Sequence, residues 1–204
     1  MALQTAAERD LVLASSSTLS RFESVADRDW HIHEVMVDNF IASYSRRPEE
    51  LVLDFDATDD RVHGKQEGRF FHGYYDHYCF LPLYVFCGEQ LLVCYLRPSK
   101  IDGARHSWAI LALLVRKLRQ AWPKVEIILR GDSGFCRHKM LGWCDRKGVG
   151  YIVGLATNRR LNSFAAHWMD LAKKGFEASG DKQRLFGELY YAAKSWKCER
   201  RVIA

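Results

Sequence analysis

From Leu51 the chain reads Leu-Val-Leu-Asp-Phe-Asp-Ala-Thr-Asp-Asp, three aliphatics followed by acids at alternate positions. The aliphatic run predicts a central strand covered on both faces. Asp54 and Asp56 stand two residues apart, so a strand sends both carboxylates out of one face. Upstream, Ile32, Val35, Met36, Phe40 and Ile41 recur at the three-to-four spacing of a helix face, with Asp27 or Asp29 to cap it and Pro48 to close it. Ser15-Ser16-Ser17-Thr18 offers hydroxyls to cap another helix from Leu19. Downstream, Tyr78 to Phe86 and Leu91 to Leu96 are apolar and aromatic-rich, and predict an antiparallel hairpin turning at Cys87-Gly88-Glu89-Gln90.

A helix is predicted from His106 to Trp122, with Trp108, Leu111, Leu114, Val115 and Leu118 as its core stripe and Pro123 as its end. Val125 to Leu129 predicts a buried strand that runs into Arg130-Gly131-Asp132-Ser133-Gly134. A helix about Arg137 to Arg146, stopped by Gly148, and a strand from Tyr151 to Leu155 follow. Residues 161–183 predict a helix and a loop, and Leu185 to Ala193 and Trp196 to Ala204 predict strands. The order is an α/β one with an antiparallel flank. Right-handed crossovers set the strand before Asp132 parallel to and beside that of Asp56, with their C-terminal ends on one sheet edge.

That edge changes what the acids can do. A carboxylate inside a strand costs several kcal/mol unless it is paired or bound to a metal. The plain reading is that Asp54, Asp56, Asp59 and Asp60 cap a turn. The alternative is a metal site, because two facing carboxylates repel unless a cation sits between them. Mg²⁺ suits such a site, being an oxygen-seeking ion usually held by one or two carboxylates and substrate phosphates. Arg130, Arg137, Arg159 and Arg160 lie near the same edge and could hold phosphates, although any one arginine also reads as a surface ion pair.

Composition supports a polyanionic partner. Residues 1–60 carry a net charge of −8 and residues 61–204 a net of +13, which together make the +5 of the chain. A basic body around an acidic centre fits nucleic acid held near a divalent ion, and equally a solvated basic surface. The chain has 204 residues, room for one core, and 48% hydrophobic content, that of a globular protein. No window approaches the roughly 18 uninterrupted apolar residues of a membrane span, and the first residues have no signal-peptide pattern. Six cysteines form no Cys-x-x-Cys pair and fall mostly in apolar runs, as buried reduced thiols of a cytoplasmic protein do. His63, His72 and His77 match no usual zinc spacing and read as polar loop or substrate contacts. Gly131-Asp132-Ser133-Gly134 echoes a serine-protease loop, but Phe135 follows it and the α/β order is wrong for that fold.

The motifs Leu-Asp-Phe-Asp-Ala-Thr-Asp-Asp-Arg-Val-His-Gly-Lys-Gln-Glu-Gly, Phe-His-Gly-Tyr-Tyr-Asp-His-Tyr-Cys-Phe and Leu-Arg-Gly-Asp-Ser-Gly-Phe-Cys-Arg resemble those of bacterial insertion-sequence transposases of the DDE class. The match is to the thirteen-eighty family, kin of the IS-four group. The resemblance implies a ribonuclease-H-like mixed sheet with flanking helices. It also implies two Mg²⁺ or Mn²⁺ ions, and cleavage and transfer of double-stranded DNA at terminal inverted repeats by a homo-oligomer in the bacterial cytoplasm. Asp56 matches the first catalytic acid, with Asp54 as the alternative on the same face, and Asp132 the second.

The third acid, a glutamate in a Tyr-x2-Arg-x3-Glu context, has no counterpart here. Tyr44 and Arg47 fit its start, but Leu51 holds the glutamate position. Glu188 and Glu199 lie in the predicted β region. The chain thus reads as a central piece: a helical segment over 1–50, the catalytic core over 51–160, and a linker with the start of a β insertion over 161–204, ending inside an apolar strand. Lacking the third acid, such a piece is expected to be inactive by itself, or to serve as a DNA-binding or interfering remnant.

Overall fold

The computed structural model describes residues 29–204 and, isolated upstream, Ser17, which is helical. Apart from Ser17, the helix expected from Leu19 and its Ser15–Thr18 cap lie outside the described residues. Helix α1 (Asp29–Ala42) ends six residues before Pro48, where Ser43 takes up the Asn39 and Phe40 carbonyls, so the proline does not close it.

Five strands form the main sheet: β1 (Glu50–Ala57), β5 (Leu83–Cys87), β6 (Gln90–Tyr95), β7 (Glu126–Gly131) and β8 (Gly150–Val153). Their order is β6-β5-β1-β7-β8. β6, β5 and β1 pair antiparallel, whereas β7 and β8 run parallel to β1. The parallel steps are made by α2 (Ser107–Ala121) and α3 (His138–Lys147). A central strand flanked by an antiparallel meander on one side and two parallel crossovers on the other is the ribonuclease-H-like arrangement. A second sheet holds β2 (Asp60–Arg61), β4 (His77–Phe80) and β3 (Phe70–His72), and α4 (Arg159–Ser179) leads to a ribbon of β9 (Glu188–Tyr191) and β10 (Arg200–Ile203).

The core lies on one face of the main sheet. Leu51, Leu53, Phe55, Ile127 and Leu129 meet Val37 and Phe40 of α1, Leu111, Leu114 and Leu118 of α2, and Met140 and Cys144 of α3. The expectation that β1 is covered on both faces is corrected: it alternates, with Leu51, Leu53 and Phe55 buried while Val52 and Asp54 are half-buried and Asp56 is exposed. Two acids on that second face need water or counter-charge, which an apolar cover would remove. Three smaller expectations also change. Trp108 stands out of the core at 44% exposed, and Ile110 takes its place. The predicted strand from Tyr78 to Phe86 breaks into β4 and β5 at Leu81-Pro82, since proline has no N–H for a ladder. Cys94 and Cys198 are exposed, although Cys79, Cys87 and Cys144 are buried thiols, and burial pushes Cys144 up to about 12.

The outer ribbon is tied to the core through polar contacts. Arg200 pairs with Asp145 of α3 at 2.8 Å, hydrogen-bonds the Tyr151 hydroxyl, and lies over the Trp196 ring. Asn158 caps α4 by accepting from the Arg160 and Leu161 amides, and its side-chain amide donates to Tyr191 Oη at 3.0 Å. Among the described residues no helix is long and apolar enough to cross a membrane.

Candidate active site

The parallel register of β1 and β7 builds the site. Asp54 stands opposite Arg130 and Phe55 opposite Gly131. The next residues in that register are Asp56 and Asp132. Neighbouring strands lie about 4.8 Å apart, so these two acids leave adjacent strand ends side by side. Both are exposed.

Asp54 and Asp56 share a face but not an environment. The Arg130 guanidinium donates to both oxygens of Asp54 from Nε and Nη2, a fork-on-carboxylate pair. That hydrogen bonding holds Arg130 above its ordinary range. The Asp56 carboxylate makes no hydrogen bond or ion pair with any described residue. Asp132 Oδ1 accepts the Gly134 amide at 2.8 Å, which starts the single 3₁₀ turn Ser133–Phe135. Phe135 then drops into the core and meets Phe55 edge-on with ring centroids 5.9 Å apart. The loop bearing the second acid is thus pinned to the strand bearing the first.

From β8, the Gly154 amide donates to the Gly131 carbonyl at 3.0 Å. A Cβ at Gly154 would come within 2.7 Å of the Ser133 nitrogen, so only glycine allows this approach. On the other side, the 98–106 loop brings Gly103 to Ala57 at the end of β1, and Asp102 pairs with Arg137 at 2.6 Å. Arg97 organises that loop. It is 1% exposed and donates to the carbonyls of Leu81, Gly103 and Arg105 at 2.8, 3.0 and 2.6 Å, and its burial brings its pKa down to about 10.

Of the four arginines expected near phosphate, Arg130 and Arg137 are held by Asp54 and Asp102. Arg159 and Arg160 are exposed in the first turn of α4, with Arg160 also over the Tyr191 ring. Asp56 and Asp132 offer a hard, oxygen-only donor pair, which fits Mg²⁺ or Mn²⁺ holding most of its waters. No group of three or more His, Cys, Asp or Glu side chains is placed to hold a metal among the described residues.

Sequence reasoning missed the Asp59–His77 pair. His77 Nε2 and Asp59 Oδ2 lie 2.6 Å apart because β2 pairs with β4. His77 read as a polar loop or substrate contact, and the available signal was strand propensity in Tyr78 to Phe80. Sequence reasoning also missed Arg97, whose burial nothing local foretells.

Comparison with known proteins bears on what this arrangement serves. A family model described as transposase DDE domain group 1 matches residues 1–204. Among solved structures, the chain is similar to a piggyBac transposase in a synaptic complex with hairpin DNA, with a TM-score of 0.39 and 11% sequence identity. The match covers 93% of this chain and 40% of that one. Comparison with curated proteins finds no match.

Proposed function

Because the chain belongs to the transposase DDE domain group 1 family, we propose that Asp56 and Asp132 are the first two acids of a metal-dependent site for DNA cleavage and strand transfer at insertion-sequence ends. The observation that carries this reading is the β1–β7 register, which aligns Asp56 with Asp132 while Asp54 is taken up by Arg130. Asp54 then serves by setting the charge and position of Arg130, not by holding the ion.

Asp56 and Asp132 would hold the metal. When bound, a divalent ion supplies polarisation of the scissile phosphodiester and a more acidic water or 3′-hydroxyl. The chain's own residues do the rest. The Gly134 amide keeps Asp132 Oδ1 oriented. Arg159 and Arg160 at the start of α4 supply donors for phosphates along the strand, and Arg137 adds another where it leaves Asp102. The DNA in this reading is a duplex with terminal inverted repeats, handled by a homo-oligomer of the thirteen-eighty type. The core spans 51–160 and the β insertion begins within 161–204.

Metal binding tests the assignment directly. Mn²⁺ titration followed by electron paramagnetic resonance should show a bound ion in the unmodified chain and in Asp54→Asn, and none in Asp56→Asn or Asp132→Asn. Excision from a plasmid carrying the element should vanish in Asp56→Ala and Asp132→Ala. Excision that survives Asp56→Ala would overturn the assignment.

A further inference from the structure

The β3–β4 hairpin displays more aromatic surface than its own folding uses. Phe71 and Tyr78 are cross-strand partners with ring centroids 5.6 Å apart, yet they remain 53% and 47% exposed. The Arg69 guanidinium lies 4.5 Å from the centre of the Tyr78 ring. At the tip, Tyr74 is 85% exposed and touches Tyr75 edge-on at 5.0 Å. One exposed aromatic is ordinary, but a group of them on so short a hairpin marks a contact surface.

The hairpin's other face fixes its location. His77 is tied to Asp59, three residues beyond Asp56, and the Tyr75 ring lies against His72 and His77. Tyr75 is raised by burial and then by Asp59, Tyr74 and Asp56, consistent with a position beside the acid end of β1. Ser99 Oγ donates to the Phe70 carbonyl, and Leu81 donates to the Arg97 carbonyl, so the small sheet is fastened to the core. The tip therefore stands at a set place near the acid end of β1, beside Asp59.

Cations set against the hairpin's rings favour a nucleic-acid occupant: the Arg69 guanidinium lies over Tyr78, and Lys100 Nζ lies 4.2 Å from the Phe70 ring centre. Flat rings interleaved with cations match bases joined by phosphates. Paired bases hide their faces in their own stack, so only unpaired ones can use this surface.

We propose that Tyr74, with Phe71, Tyr78 and Arg69, forms a stacking subsite for unpaired DNA bases beside the phosphodiester addressed by Asp56 and Asp132. This rests on the DNA-processing reading above and adds to it a preference for opened strands. The hairpin then holds the frayed or cleaved end while the carboxylate site acts on the neighbouring phosphate.

The test compares a blunt duplex with the same duplex carrying a short single-stranded extension that contains a fluorescent adenine analogue. With the 204-residue chain, the extension should tighten binding about tenfold and the analogue should be quenched. Tyr74→Ala combined with Phe71→Ala should erase both effects while leaving blunt-duplex affinity unchanged. Tyr74→Trp should keep them. Equal binding of the two DNAs overturns the subsite and leaves the DNA-processing reading standing. Binding to neither DNA overturns both. Loss of self-association in the double variant, with the extension's effect intact, would assign the rings to a protein contact and also overturn the subsite.

Discussion

Gly154 shows how much of the site hangs on single positions. Its missing side chain lets β8 close on the backbone of Asp132 and Ser133, at a point where a Cβ would meet the Asp132 carbonyl carbon at 3.1 Å as well as the Ser133 nitrogen. Backbone cannot swing aside as a side-chain tip can. Gly154→Ala should therefore push the acid loop out of line with β1. A misplacement near 1 Å costs about a hundredfold in rate, so excision assays should show that loss while circular dichroism shows a folded protein. Asp54 makes the opposite point. Its carboxylate is occupied by Arg130, and Asp54→Ala should reduce excision far less than Asp56→Ala does. Arg130→Ala should be the more harmful partner change, because it leaves Asp54 uncompensated beside two other acids. Mn²⁺ titration and excision rates of the three variants would rank them.

Among the elements, the 98–106 loop is the one whose order depends on a buried charge. Arg97 gathers three carbonyls, and through them places Gly103 on Ala57 and Asp102 against Arg137. Hydrogen bonds from a charged donor contribute about 1.5–3 kcal/mol. Arg97→Leu removes the donor and strands the carbonyls, so thermal unfolding should fall by about 5–10 °C. Arg97→Lys keeps a cation but lacks the planar fork, and should recover only part of that loss. The α2–α3 side is tied in a similar way, with Arg119 donating to the carbonyls of Lys147 and Gly148 at the end of α3. There the donor is only half-buried and a smaller effect is expected.

Over the protein as a unit, α1, α2 and α3 pack on one face of the sheet, and the other face carries Asp54, Asp56 and Arg130 beside Val52, Ile128 and Phe86. Residues 61–204 carry a basic excess, and β1 ends in an acidic stretch. Two outcomes follow from that distribution. DNA affinity should fall steeply and log-linearly as salt rises, since each phosphate contact releases counterions; a flat response in fluorescence anisotropy would deny the basic body a DNA role. Divalent ions should stabilise the fold by relieving the Asp56–Asp132 repulsion. At ten times the dissociation constant the gain is about 1.4 kcal/mol, or about 3–6 °C in thermal unfolding. Asp132→Asn should abolish that rise.

Much of this was readable from local patterns. Alternation at Asp54 and Asp56, the apolar stripe of α2, and the strand-to-turn step at Arg130-Gly131-Asp132 depend on neighbours in sequence, and the handedness of crossovers then orders the strands. The α/β class and the mixed sheet follow from that much. Tertiary structure decided what each acid faces. Asp54 rather than Asp56 meets Arg130 because of the β1–β7 register, and a one-residue slip would turn those side chains to the opposite face. His77 reaches Asp59 through pairing of β2 with β4, Arg97 is buried by a loop folded over it, and Gly154 is irreplaceable because another backbone passes there. Register and close approach are set jointly by the packing of the whole core, so no local stretch of sequence contains them.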